Sequence, residues 1–301
     1  MATTFTGLSE AKIDDVIIGS IQASLPLLDA FSTQLDHPEG LVIGNTYKVP
    51  LIGALTVGDK TAGTLKDASG SLTGKDVTTS AFKAASFEAI EGKISSKVLA
   101  AWWEKQVVEA TRTVAQTVVD AALGLVTAAN YGSNTGDVVT DGDFDDDTVV
   151  ELRTKAKNKL KNVPGAFICA PSVASQLIKM QNTVLILGMA QGKNLVTDGQ
   201  IPGQILGYRA FEYVDMPGNS EHLVGAVIGK TALAIVAGAP EQILSSGDGD
   251  VRYRRVVTDP ESGLSVQYTE VVNGGGKVTA EIGVIYGVAK AQNAVVRLVT
   301  E

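Results

Sequence analysis

The segment Gly225-Ala226-Val227-Ile228-Gly229-Lys230-Thr231 comes nearest to a phosphate-binding loop. Such a loop needs four residues between its glycines, so that successive backbone N–H groups curl around a phosphate, and it leads into a helix. Here three residues separate Gly225 from Gly229, Val224 stands where the first glycine belongs, and apolar strand-like runs lie on both sides. The pattern therefore predicts a hairpin turn at Gly229-Lys230, between strands at 223–228 and 231–237. Asp141, Asp143 and Asp145 have the alternate spacing of a calcium loop. That loop also requires glycine at 146 and a bidentate glutamate at 152, where this chain has Asp146 and Leu152, with Glu151 one position off. Acidic capping of the next helix is the expected use of these carboxylates. Gly247-Asp248-Gly249-Asp250 reads as a turn.

Nucleophilic chemistry finds little to work with. No Gly-x-Ser-x-Gly elbow occurs, and Cys169 lies in the apolar run 166–170, which suits an inert core thiol. His37 sits in a turn cluster and His222 follows Glu221 just before a strand, so each reads as a surface histidine. Arg252, Arg254 and Arg255 form the densest basic cluster, and strand alternation places Arg252 and Arg254 on one face. That arrangement suits salt bridges between subunits better than a nucleic-acid groove. No catalytic, cofactor-binding or metal-binding residue is expected, and no enzyme.

Composition narrows the classes further. A single cysteine excludes a disulfide framework within the chain and multi-cysteine zinc sites. Twenty-five basic residues face 33 acidic ones, a net of −8, against the basic footprint that phosphate contacts need. Charged residues are 19% of the chain, below the usual share of about 25%. A surface short of charge suits extensive contact with other subunits. No basic start marks a signal peptide, and the near-apolar run 223–239 is interrupted by Lys230, so a soluble chain made in a cytoplasm is expected.

The elements that position these residues follow from periodicity. Ile13, Val16, Ile17, Ile21 and Leu25 make one helical stripe between Ser9 and Phe31, either the first helix of a domain or an arm packing on neighbours. Strand-like residues 47–52 and 77–90 enclose a Gly-, Ser-, Thr- and Lys-rich stretch, which predicts a long extended hairpin. A lone hairpin is marginal in water, so this one is either floppy or supported by another chain. Residues 95–129 predict one continuous helix of roughly 50 Å at 1.5 Å per residue. Its apolar face carries Leu99, Trp103, Val107, Ala110, Val114, Val118, Ala121 and Leu125. A polar link at 133–142 leads to a helix–strand–helix unit at 143–182, and mainly β-like sequence follows from Leu195. Runs at 264–272 and 278–286 flank a hairpin turn at Asn273-Gly274-Gly275-Gly276.

This order of elements resembles a tailed-bacteriophage major capsid protein, the mixed α+β Hong Kong 97-like fold. Local echoes are the Val49-Pro50 opening of the extended loop, the entry Pro164-Gly165-Ala166-Phe167 and the closing Ala294-Val295-Val296-Arg297-Leu298. The resemblance spans nearly the whole chain. It implies an N-terminal arm at 1–45, an extended loop at 46–93 and a peripheral domain with its spine helix at 94–139. It further implies an axial domain at 140–240 and returning peripheral strands at 241–301. The implied function is self-assembly into pentamers and hexamers of an icosahedral shell enclosing double-stranded DNA, without sequence-specific binding. The virion is the implied location, with assembly in the host cytoplasm. The arm begins at residue 1, with no room for the scaffolding segment some members carry. A separate scaffolding protein is therefore implied, alongside a portal and, in some members, a decoration protein. Two alternatives carry other expectations: an encapsulin-like nanocompartment shell, or a small-molecule-binding or hydrolytic α/β enzyme using Asp141 to Asp147.

Overall fold

A computed structural model describes residues 10–24, 30, 32–35, 40–51, 73–90, 96–132, 138–141, 144–161, 163–179, 204–205, 207–241, 250–260, 264–273 and 277–300. The dominant helix is Ser96–Leu123, about 42 Å long at 1.5 Å per residue. It buries Leu99, Trp103, Val107, Ala110, Val114 and Val118, the periodic stripe expected from sequence, while Ala121 and Leu125 are only partly covered. Its end differs from the sequence expectation. The helix stops at Leu123, and a separate turn of helix runs from Ala128 to Tyr131. Gly124 is a poor helix former, but the break is fixed from outside. The Asn219 side chain donates to the carbonyls of Leu123 at 3.0 Å and Val126 at 2.9 Å. Thr127 then caps the short helix by accepting from the Asn130 N–H.

The N-terminal helix Glu10–Ser24 buries Ile13, Ile17 and Ile21 and packs along the long helix of its own chain. The strands, in chain order, are β1 (Ser32–Leu35), β2 (Thr46–Leu51), β3 (Thr73–Thr78), β4 (Ala81–Ile90), β5 (Val138–Asp141), β6 (Gly165–Cys169) and β7 (Gln204–Ile205). They continue as β8 (Tyr208–Glu212), β9 (Leu223–Gly229), β10 (Leu233–Gly238), β11 (Asp250–Thr258), β12 (Ser265–Asn273), β13 (Lys277–Lys290) and β14 (Val295–Thr300).

The first sheet runs β1-β10-β13-β12-β11, with β4 also paired to β13. β13 organises it, pairing with β12 over 277–283, with β10 over 285–290 and with β4 over 277–286. The long helix lies on β13 and β4. There Trp103 meets Phe87 edge-on at 4.8 Å and donates its indole N–H to Tyr268, which in turn donates to Glu270 at 3.2 Å. Trp103, Tyr268 and Glu270 are buried, so this polar chain satisfies groups that would otherwise be costly there.

The second sheet runs β5-β14-β9-β6-β8-β7. It carries the helices Asp146–Leu160, against β14 and β5, and Pro171–Lys179, against β6 and β9. These two helices and β6 match the helix–strand–helix unit expected at 143–182. Val138–Asp141, expected as part of a polar link, forms strand β5 because it finds a parallel partner in β14. The last strand, expected at 287–300, is β14, which sits inside the second sheet, where Val295, Val296, Arg297 and Leu298 are all buried. A strand covered on both faces belongs in a sheet interior.

The predicted hairpin at Gly229-Lys230 is corrected too. β9 and β10 lie in different sheets and do not pair with each other. The crossing from β9 to β10 runs beside the crossing from β13 to β14. Ala291 N–H donates to Ala232 O at 2.8 Å, Gln292 N–H to Thr231 O at 3.0 Å and Gly229 N–H to Ala294 O at 2.8 Å. Two hydrogen-bonded strands, bent together, thus join the sheets.

Candidate functional site

Each sequence candidate can now be placed. The N–H groups a phosphate would need around Gly229 are spent on backbone carbonyls, Gly229 on Ala294, Lys230 on Pro164 at 2.7 Å and Ala232 on Gly229. No cradle remains there. Asp145 is the N-cap of helix Asp146–Leu160, accepting from the Thr148 N–H at 2.8 Å and the Thr148 hydroxyl at 2.9 Å. The backbone hydrogen bond, then the hydroxyl, holds its carboxyl below the usual carboxylate range. Asp141 ends strand β5, and Asp143 lies outside the described residues. No group of three or more metal-ligating side chains occurs among the described residues. Residues 247–249 and His37 also fall outside them, while Asp250 opens β11.

Cys169 is fully buried in β6, and burial, followed by the Glu212 charge, pushes its thiol up to about 12. A thiol held neutral and out of solvent is no nucleophile. His222 is exposed with φ of 52°, and its carbonyl accepts the Thr300 N–H at 2.9 Å. The arginine cluster is rearranged. A bulge between Val251 and Tyr253 interrupts the alternation that was to set Arg252 and Arg254 on one face. Arg255 pairs with Asp14 of the N-terminal helix at 2.7 Å, so that salt bridge lies within the chain.

Sequence reading missed one constellation. Arg297 is 3% exposed, and it donates to Glu221 and, at 3.1 Å, to the Gly132 carbonyl. Both oxygens of Glu221 also accept the Ala128 N–H at 2.9 Å. Together with Asn219, this ties the loop before β9 to the broken end of the long helix. Asn219, Ser220 and His222 all have positive φ, a local cost that the clamp offsets. Arg297 falls among the closing residues singled out in the sequence, but its partners lie far off in the chain and leave no local signal.

The remaining functional surfaces are those the chain does not complete by itself. β2 and β3 form a separate two-stranded sheet, in register from Thr46 with Thr78 to Leu51 with Thr73. The predicted hairpin is shorter than expected at its base, because Ala81–Ile90 leaves it to pair with β13. The hairpin sits on a small apolar cluster of Leu41, Val49, Val77, Ala234, Val236 and Ile285. Its foot crosses β13 at Gly287, where an added Cβ would lie 2.4 Å from the Thr78 carbonyl, so only glycine fits. The predicted tip falls mostly on 52–72, outside the described residues. Strand β11 forms an outer edge of the first sheet, and β5 and β7 form the edges of the second. Such edges are open to pairing or docking.

Two helix-decorated sheets joined by a double crossing, a long helix and a projecting hairpin define a phage capsid fold, which structural comparison bears out. The capsid of Ralstonia phage GP4 contains a chain similar over 90% of this one and 89% of its own length, at 11% identity and a TM-score of 0.53. A chain in the capsid of cyanophage P-SCSP1u is similar over 91% and 88%, at 13% identity and a TM-score of 0.50. One from Microbacterium phage Oxtober96 covers 92% and 91%, at 14% identity and a TM-score of 0.50. No protein-family model and no curated protein sequence matches the chain.

Proposed function

We propose that this chain is the major capsid protein of a tailed bacteriophage, assembling into pentamers and hexamers that tile an icosahedral shell around double-stranded DNA. The observation that carries the proposal is the shared fold, which extends over about nine-tenths of both chains in the Ralstonia phage GP4 comparison. A structural role also agrees with the buried Cys169 thiol and the capping use of Asp145. In this reading the first sheet and long helix are the peripheral domain and the second sheet is the axial domain. The β2–β3 hairpin is the base of the extended loop, and the N-terminal segment is the arm. The protein acts as structure and not as a catalyst. Its partners are copies of itself, a separate scaffolding protein, a portal and, in some virions, a decoration protein. It is built in the host cytoplasm and resides in the virion.

Expression of the full chain, alone and with its scaffold, tests this by electron microscopy and analytical ultracentrifugation. Rings, tubes or shells are expected. A monodisperse monomer that persists on co-expression with the scaffold would contradict it.

A further inference from the structure

At the C-terminal end of helix Asp146–Leu160, a cavity of about 440 Å³ is lined by Lys157, Lys161, Arg209 and Tyr208, with Pro164 and Gly207 at its wall. Lys157 Nζ lies 5.0 Å from the centre of the Tyr208 ring, and Arg153 acts electrostatically on the same tyrosine. Lys157, Lys161, Arg209 and Arg153 have no carboxylate partner among the described residues. Tyr208 is 5% exposed, and its hydroxyl is buried without a hydrogen-bond partner. In a chain of net charge −8, three lining cations without a carboxylate partner, with Arg153 near on the same helix, point to an anionic partner.

The same helix starts with the opposite sign. Asp145, Asp147 and Glu151 are exposed at its N-terminal end, which follows β5, the outer strand at one edge of the second sheet. The basic cavity lies at β8, next to the outer strand β7 at the other edge. The helix between them is about 22 Å long at 1.5 Å per residue. Each copy therefore presents an acidic edge and a basic edge; Glu151 is paired with Lys155 one turn along the helix at 2.6 Å, while Asp145 and Asp147 have no cation partner among the described residues.

We propose that these edges meet between copies, the acidic start of helix Asp146–Leu160 in one subunit docking at the basic cavity of the next. The contact joins unlike patches, which is the head-to-tail kind that closes into rings. This inference rests on the shell reading and supplies a contact within its rings.

Charge reversal in the full chain tests it. One variant carries Lys157→Glu and Arg209→Glu, another Asp147→Lys and Glu151→Lys, and a third all four changes. Each two-site variant should lose at least about tenfold of the material sedimenting as rings or shells, because like charges then face each other. The four-site variant, with both signs exchanged, should recover it. A variant that melts early is replaced by its neutral form, Lys157→Gln with Arg209→Gln or Asp147→Asn with Glu151→Gln, for which a smaller loss is expected. Normal assembly of a folded two-site variant, or no recovery in the four-site variant, overturns the contact. So does binding of inorganic phosphate at the cavity with assembly indifferent to every change. Failure of the unaltered chain to assemble with its scaffold overturns the shell reading itself, a distinct result.

Discussion

The β2–β3 hairpin and the second sheet are both built from short strands, yet they get their stability in opposite ways. In β6, Ala166, Phe167, Ile168 and Cys169 are all buried, and β9 beside it and β14 beyond β9 keep Ala226, Val227, Ile228, Val295 and Val296 fully covered. Among the described hairpin residues, Val49, Leu51 and Val77 are the buried ones, and exposed or partly exposed residues alternate with them. The second sheet lies in the main apolar core, which runs on without a break into the long helix and the first sheet. The hairpin borrows its footing from β1, β10 and β13 of the first sheet. Substitutions in the two regions should therefore separate folding from assembly.

The largest expected effect is at the centre of the second sheet. Phe167→Ala removes a fully buried ring and should cost about 3–5 kcal/mol of subunit stability in denaturant titration. A loss below about 1 kcal/mol would mean the sheet centre is not the tightly packed core its burial indicates. Next comes the clamp between that sheet and the long helix. Glu221→Ala leaves the Arg297 guanidinium buried without its partner and the Ala128 N–H without its acceptor. Because a quarter of the Glu221 side chain is in water, a cost of about 2 kcal/mol is expected, below that of a fully buried pair.

The hairpin should behave differently. Replacing residues 58–72 with a short Gly-Ser turn should shift the melting of the unassembled subunit little, since loop length costs only about 0.6 kcal/mol per doubling. Particle counts by electron microscopy should nevertheless collapse. Normal shells from this variant, or outright unfolding, would each erase the contrast between the two regions.

Smaller still is the helix cap. The lowered carboxyl of Asp145 means its contribution to stability is present above the ordinary carboxylate range and is lost as the pH falls through its lowered value. Melting curves of Asp145→Ala and the parent should thus differ at neutral pH and converge in acid. At the bottom of the series, Lys230→Ala should change stability by no more than about 0.5 kcal/mol, and titration with ATP and magnesium should give no heat of binding in either protein.

What the sequence disclosed follows the range of each signal. The stripe from Leu99 to Val118 and the pair of helices around β6 rest on local periodicity and caps, and both were legible. The end of the long helix was not. Nothing near Gly124 announces the break, because the group that caps it, Asn219, belongs to a loop before β9. Apolar runs at 223–229, 233–238 and 295–300 announced burial correctly, yet burial does not name a partner. Hence β9 and β10 read as a hairpin when they belong to different sheets, and nothing in β14 names β9 and β5 as its neighbours. Val138–Asp141 read as linker because the β-forming run Val138-Val139-Thr140 is too short to stand out in a polar stretch, and its partner, Arg297 to Thr300, is far off in the chain. Among candidate residues, the range of the signal matters in the same way. Odd spacing ruled out the phosphate loop, whereas the Arg297–Glu221 clamp depends on distant contacts.

The double crossing between the sheets has a mechanical consequence. A single strand would act as a swivel, leaving one sheet free to turn on a few backbone torsions. Two antiparallel strands laced by the Ala291–Ala232, Gln292–Thr231 and Gly229–Ala294 hydrogen bonds act as a flat spring. To twist one sheet against the other, both strands must deform together, and to pull the sheets apart, the lacing is loaded in shear, many bonds at once. The Thr231–Gln292 side-chain bond adds a further stitch at the bend. A turn imposed on one sheet is therefore carried to the other through two strands at once, not through a single hinge.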